Sequence, residues 1–280
     1  MSSYFSFIKK RSLRLLVPVY LFVVIYIAVY QLLAYLVGFD AINRNAIIGT
    51  LTMRLDPSIG YVWIIRIFLI VMLVTPLLSF AESKMKKEWQ FILFVAVLLV
   101  VQQVAATSLA KAGYIFKDWL LYVCGYAAVF ALGLRMRNMP GDRCAVYVGI
   151  LAFVMGCLIY NGVSSEGTWK LLQANKYPPR AYFLVYGALW SALLWTTRAY
   201  WGKILDNRFF AFIGRNTIWI YLWHIPLAHY MRLYSPHWHP VVKYILLYSV
   251  AVGIFSLQYL IVRKIDEKCP ENRFTKFLVG

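Results

Sequence analysis

Charge is scarce in this sequence. Only 14% of its 280 residues are Asp, Glu, Lys or Arg, and only 11 are acidic; soluble domains carry about 25% charged residues. At 62% hydrophobic residues, against roughly 45–50% in soluble chains, a water-soluble fold has no place to hide its apolar surface, and the bilayer is the natural solvent. Cysteine is scarce as well. The four, Cys124, Cys144, Cys157 and Cys269, match no metal-ligand spacing and predict no disulfide framework. His237 and His239 flank Trp238 in a loop with no third ligand in view, so no metal is expected. The apolar runs lack the alternation of period two that a membrane barrel requires. There is no internal repeat, no low-complexity linker and no cleavable signal peptide. The first apolar run is too long for a signal-peptide core and lacks a small-residue cleavage site, so it reads as a signal anchor.

What the sequence has is apolar runs of spanning length. They lie at 15–37, 61–80, 91–109, 119–134, 145–160, 181–197, 217–234 and 241–262, where a span needs about 20 residues. In hydrocarbon every backbone amide must be paired within its own segment or by barrel closure, so these runs predict helices. The expected fold is all-α: a polytopic transmembrane bundle of about eight spans, one domain over residues 1–280. The net charge of +18 sits in short clusters between apolar runs. That pattern suits loops facing anionic lipid and speaks against nucleic acid. Nineteen of the 29 Lys and Arg residues fall on the face that carries Lys9–Arg14, Lys84–Lys87, Arg135–Arg143, Arg198–Arg215 and Arg263–Lys276. By the positive-inside rule both termini are expected inside. The two longest connections, 38–60 and 162–180, then face outside. Tyr61, Trp63, Trp119, Trp169 and Tyr234 are placed to anchor the bundle at the interfaces.

Few residues in such a chain can do chemistry. Arg11 and Arg14 are three apart, share a helix face and stand at the predicted inner mouth. Two guanidinium forks there suit a pyrophosphate; ordinary inside charge explains them as well. Along Thr217, Tyr221 and His224 the spacings of four and three align one helical face. His224 lies roughly 10 Å from Thr217 by helical rise. An ionisable group at that depth faces a cavity or the bundle interior, and Pro226 leaves the Leu222 carbonyl without its helical donor. A catalytic or substrate-binding imidazole and a structural histidine both fit. Arg66, about 7 Å inward of Tyr61, suits either an acceptor cavity or snorkelling to headgroups. Gln102, Gln103 and Thr107 can join it or hold helices together.

Taken in order, three stretches resemble the membrane acyltransferase-3 family. The first is Phe7-Ile8-Lys9-Lys10-Arg11-Ser12-Leu13-Arg14 running to Pro18, similar to the family's basic RxxR entry to a helix. The second is Asn175-Lys176-Tyr177-Pro178-Pro179-Arg180 with the apolar run after it. The third and most specific is Gly214-Arg215-Asn216-Thr217 leading into Tyr221-Leu222-Trp223-His224-Ile225-Pro226-Leu227. A weaker match is Val62-Trp63-Ile64-Ile65, where the family more often has Trp-Phe. The resemblance spans almost the whole chain. It implies an acyl-CoA-dependent O-acyltransferase of the cell membrane, commonly an acetyltransferase acting on hydroxyls of surface glycans. Arg11 and Arg14 would hold the phosphates of the acyl-CoA (acetyl-CoA) donor. Arg66, Tyr221, Thr217 and Gln103 would line a substrate cavity. If this chain acts alone His224 is the catalytic candidate, and otherwise it is a cavity residue that orients the acyl group or acceptor; the expected partners are membrane lipid, acyl-CoA and a hydroxyl acceptor.

The family usually has about ten helices, with its essential histidine on a helix upstream of the RxxR segment. Here only ten residues precede Arg11, so the expectation is a polypeptide that is not a complete enzyme as written. The rival class is a transporter or flippase for a glycan or lipid-linked sugar. It would show repeat symmetry with helices broken at corresponding positions, and it needs no CoA.

Overall fold

The computed structural model describes residues 2–59, 61–109, 119–166, 172–235, 237–268 and 275–279. Trp169, placed above as an anchor, Cys269, and Arg273 of the last basic cluster lie outside them. The described residues form helices and no strands. They are α1 (Ser2–Val37), α2 (Arg44–Leu51), α3 (Trp63–Lys84), α4 (Glu88–Ser108), α5 (Val123–Arg137), α6 (Gly141–Glu166), α7 (Ala181–Thr196), α8 (Arg198–Leu205), α9 (Arg208–Arg215), α10 (Thr217–Tyr234), α11 (Pro240–Lys268) and α12 (Thr275–Val279), with single 3-10 turns at Leu120–Tyr122 and Leu172–Asn175. Among these, six helical stretches are long and apolar enough to cross a membrane: Tyr4–Val37, Trp63–Lys84, Glu88–Ser108, Leu120–Arg137, Gly141–Gly162 and Pro240–Lys268.

The other two expected spans are helices too, but shorter or more polar. Helix α7 has 16 residues, and α10 has 18 with Tyr221, His224, His229 and Arg232 among them. Boundaries moved where burial was not the driving term. Helix α1 begins at Ser2 rather than near 15, because Lys9, Lys10, Arg11 and Arg14 are good helix formers and extend the helix into the polar zone. The run expected from 119 opens on a 3-10 turn at Leu120–Tyr122 before α5 starts. The connection 38–60 holds α2, capped by Asn43 Oδ1 on the Ala46 amide at 2.8 Å. Its return packs onto that helix: the Ile59 amide donates to Thr50 Oγ1 at 2.9 Å. A Cβ at Gly49 would come within 1.6 Å of the Pro57 carbonyl, so only glycine fits there.

The chain divides into two compact units, residues 1–65 with 204–280, and residues 66–203. In the first, rings of Phe22, Tyr26 and Tyr30 run up α1 at helical spacing. Phe22 meets Trp223 at 5.4 Å and Tyr30 meets His229 at 6.1 Å. Both pairs advance in the same direction, so α1 and α10 run parallel, and the clusters Lys9–Arg14 and Arg208–Arg215 lie at one end of this unit. Helix α11 joins them through Trp223 Nε1, which donates to Gln258 Oε1 at 2.7 Å; Gln258 Nε2 donates in turn to the Leu278 carbonyl of α12 at 2.7 Å.

In the second unit the core is Phe91, Leu132, Met136, Tyr147, Leu151, Val185 and their neighbours, with Ala131, Ala188 and Ala192 letting helix backbones approach. At one end Arg135 binds Glu82 at 2.8 Å and Glu88 at 2.9 Å. Tyr147 donates to the other Glu88 oxygen at 2.6 Å. One guanidinium thus ties α3, α4 and α5 together, and Tyr147 adds α6. Lys84, Lys86, Lys87, Arg137 and Arg143 lie on the helix ends and loops that carry this knot, so in this unit too the basic loops gather at one end.

Candidate functional site

The candidate site residues on the helices fall into two groups, one in each unit. The first is built on α10. Asn216 is its N-cap residue, but its side chain does not cap. It donates back to the Phe212 carbonyl at 2.7 Å, fixing the corner between α9 and α10. Thr217 is the first helical residue and is exposed. One turn on, the Tyr221 hydroxyl donates to the Tyr61 carbonyl. The next turn carries His224. Its Nδ1 contacts the Tyr221 carbonyl and, as the donor there, leaves Nε2 bare. The imidazole is half-buried between two phenol rings, 4.6 Å from Tyr221 and 5.6 Å from Tyr61, centroid to centroid. Pro226 lies within the same helix and cannot donate to the Leu222 carbonyl.

Tyr61 is the member that sequence reasoning assigned to the aromatic belt alone. It lies 160 residues from Tyr221 in sequence, and no local pattern links them. It also has φ +64°, a left-handed backbone that costs an aromatic residue about 1–2 kcal/mol. That turn immediately before α3 aims its carbonyl at Tyr221. The Tyr221 hydroxyl, by holding that carbonyl, keeps the strained turn in place and with it the Tyr61 ring beside His224.

Arg11 and Arg14 stand on the exposed part of α1, at the end of this unit that carries Arg208 and Arg215. The Arg11 guanidinium lies 5.5 Å from the Phe7 ring centroid. Both forks face outward, where a phosphate can approach them.

The second group belongs to the other unit. Arg66 is fully buried, with its guanidinium 5.3 Å from the Tyr122 ring and 5.8 Å from the Trp119 ring. Aromatic faces and protein surround it, as cation–π packing favours. Gln102, 1% exposed, donates to the Pro179 carbonyl at 2.9 Å and accepts from the Gly125 amide at 2.9 Å. Gln103 Oε1 accepts from the Ala181 amide at 2.9 Å. Arg180 precedes α7 and offers it no side-chain cap, so Gln103 supplies that cap from α4. The two glutamines pin the corner Asn175–Ala181. Of the four residues expected to line a substrate cavity, Thr217 and Tyr221 belong to the first unit and Arg66 and Gln103 to the second.

An acyltransferase-domain family model matches residues 1–259 of the chain. No curated protein and no solved structure matches it.

Proposed function

From a chain that belongs to the acyltransferase-3 family of membrane acyltransferases, we propose an enzyme that moves an acyl group, acetyl first among candidates, from acyl-CoA to a hydroxyl of a cell-surface glycan or related acceptor. It works as a multi-pass protein of the cytoplasmic membrane, with eight helices crossing and both termini inside. The observation that carries the reading is the His224 ring, oriented through Nδ1 by the Tyr221 carbonyl and held between Tyr221 and Tyr61. An imidazole fixed in that way presents Nε2 as a base.

The reaction then balances with one proton moved twice. The acceptor O–H gives its proton to His224 Nε2 as its oxygen attacks the thioester carbon. The tetrahedral intermediate collapses by breaking the C–S bond, and the departing CoA sulfur takes the proton from the imidazolium. Arg11 and Arg14 hold the phosphates of the donor at the mouth. Phe22, which meets Trp223 beside His224, is roughly 12 Å further along α1 than Arg14. A donor gripped at the arginines has to send an extended arm about that far inward to bring its thioester level with His224. The transporter reading has no observation behind it, since acyl transfer is the family's chemistry.

CoA binding by purified protein tests the donor site. Arg11→Ala and Arg14→Ala are each expected to weaken it roughly 10- to 150-fold, the worth of a charged hydrogen bond. Lys at either position recovers only part, because an ammonium lacks the fork. Wild-type affinity in a folded double-alanine variant would leave both arginines as ordinary inside charge.

A further inference from the structure

Next to Trp195 a groove of about 300 Å³ is lined by helices α5 and α7 of the second unit. Leu132 and Ala188 form its buried floor, while Gly133, Ser191 and Trp195 are exposed along it. Trp195 is fixed there, its Nε1 donating to the Met136 carbonyl at 3.1 Å. Arg137 is the one charged residue among those lining the groove. It is exposed and makes no hydrogen bond or ion pair with the described residues. A second guanidinium lies close by: Arg198 sits 4.6 Å over the Trp195 ring and donates to the Trp195 carbonyl at 3.0 Å.

We propose that this groove binds one anionic glycerophospholipid. An apolar trough gives water too few partners to be stable in it, so in a bilayer hydrocarbon fills it. Its mouth selects among lipids by charge. Arg137, with Arg198 behind Trp195, attracts a headgroup of net negative charge, whereas a choline headgroup would bring its ammonium against two guanidiniums. The acyl chain lies along Leu132, Gly133 and Ala188, and the phosphate rests on Arg137. This site needs only that α5 and α7 sit in a membrane; it does not depend on the donor or acceptor proposed above.

The test is native mass spectrometry of the whole chain in mild detergent, titrated with phosphatidylglycerol or phosphatidylcholine. The wild type is expected to bind phosphatidylglycerol about fivefold or more tighter than phosphatidylcholine, the worth of about one basic contact at a membrane surface. Arg137→Gln should bring the two lipids level, and Arg137→Lys should keep most of the preference. A Cβ at Gly133 meets nothing within 4 Å, so Gly133→Leu can fill the groove without moving the backbone. It should lose the bound lipid whatever its headgroup while retaining CoA affinity. Undiminished phosphatidylglycerol binding in Arg137→Gln and Gly133→Leu would overturn the site. So would a change of oligomeric state in Gly133→Leu with lipid binding intact, which would make the groove a contact between copies, and so would displacement of the lipid by a long-chain acyl-CoA. Should Gly133→Leu fail to fold, the comparison of Gln with Lys at position 137 still decides.

Discussion

At the scale of single residues, His224 is the side chain whose removal says most. His224→Ala is expected to lower acyl transfer by about 10²–10⁴, the usual worth of a general base, while CoA affinity and membrane insertion stay unchanged. Full activity in that variant would make the ring structural. Tyr221→Phe is subtler, because it keeps the ring against His224 and deletes only the hydroxyl that holds the Tyr61 carbonyl. It should cost about 1 kcal/mol of stability and lower kcat with little change in the KM for CoA, since Tyr61 is then free to relax from its left-handed backbone. A KM effect alone would move Tyr221 from positioning the imidazole to binding the donor. Gln102 is the corresponding residue of the second unit. Its two bonds satisfy the Gly125 amide and the Pro179 carbonyl, so Gln102→Ala strands two main-chain groups. Each buried unsatisfied group costs about 1–3 kcal/mol, and the melting temperature should fall accordingly.

At the scale of elements, several specific pairings sit at the ends of the helices. Helix α7 borrows its cap from Gln103, α9 is capped by Asn207 Oδ1 on the Phe209 and Phe210 amides at 3.0 and 3.1 Å, and α3, α4 and α5 meet at Arg135. The carboxylates of that knot are among the few in the chain, which is why their placement tells. Arg135→Gln should lower stability by about 1–3 kcal/mol. That is below the cost of breaking a fully buried pair, because the Glu88 side chain is 44% exposed and water screens it. Thermal unfolding in detergent measures it. A null result would mean that Tyr147 and Phe91 hold these ends without the guanidinium.

At the scale of the whole molecule, the basic loops cluster at one end of each unit, and the charge rule puts those ends inside. Single cysteines in a background without the four native ones report the side directly. Positions in 83–89 and 138–142 should label only from the cytoplasm, and Gln173 only from outside. Labelling of Gln173 from the cytoplasmic face alone would invert the proposed topology.

The sequence by itself determined the solvent and the secondary structure. A chain with so little charge and such long apolar runs has one way to satisfy its backbone in lipid, and hydrocarbon enforces helices whatever the details of side-chain order. It also marked His224, because an imidazole in an apolar segment is costly enough to be noticed without a fold, and Arg11 and Arg14, because two guanidiniums three residues apart share a helix face beside an apolar run. Only the tertiary structure decided what those helices do for one another. Tyr61 stands beside His224, Gln103 caps α7 and Gln102 holds Gly125 through contacts between residues distant in sequence, and each of these side chains reads locally as an anchor or as helix glue. Arg66, equally open to snorkelling and to an acceptor cavity on sequence grounds, is enclosed by Tyr122 and Trp119. Hydrophobic periodicity fixes which segments are helices; a hydrogen bond a few ångströms long depends on which helices are neighbours and at what height, and that is set by packing alone.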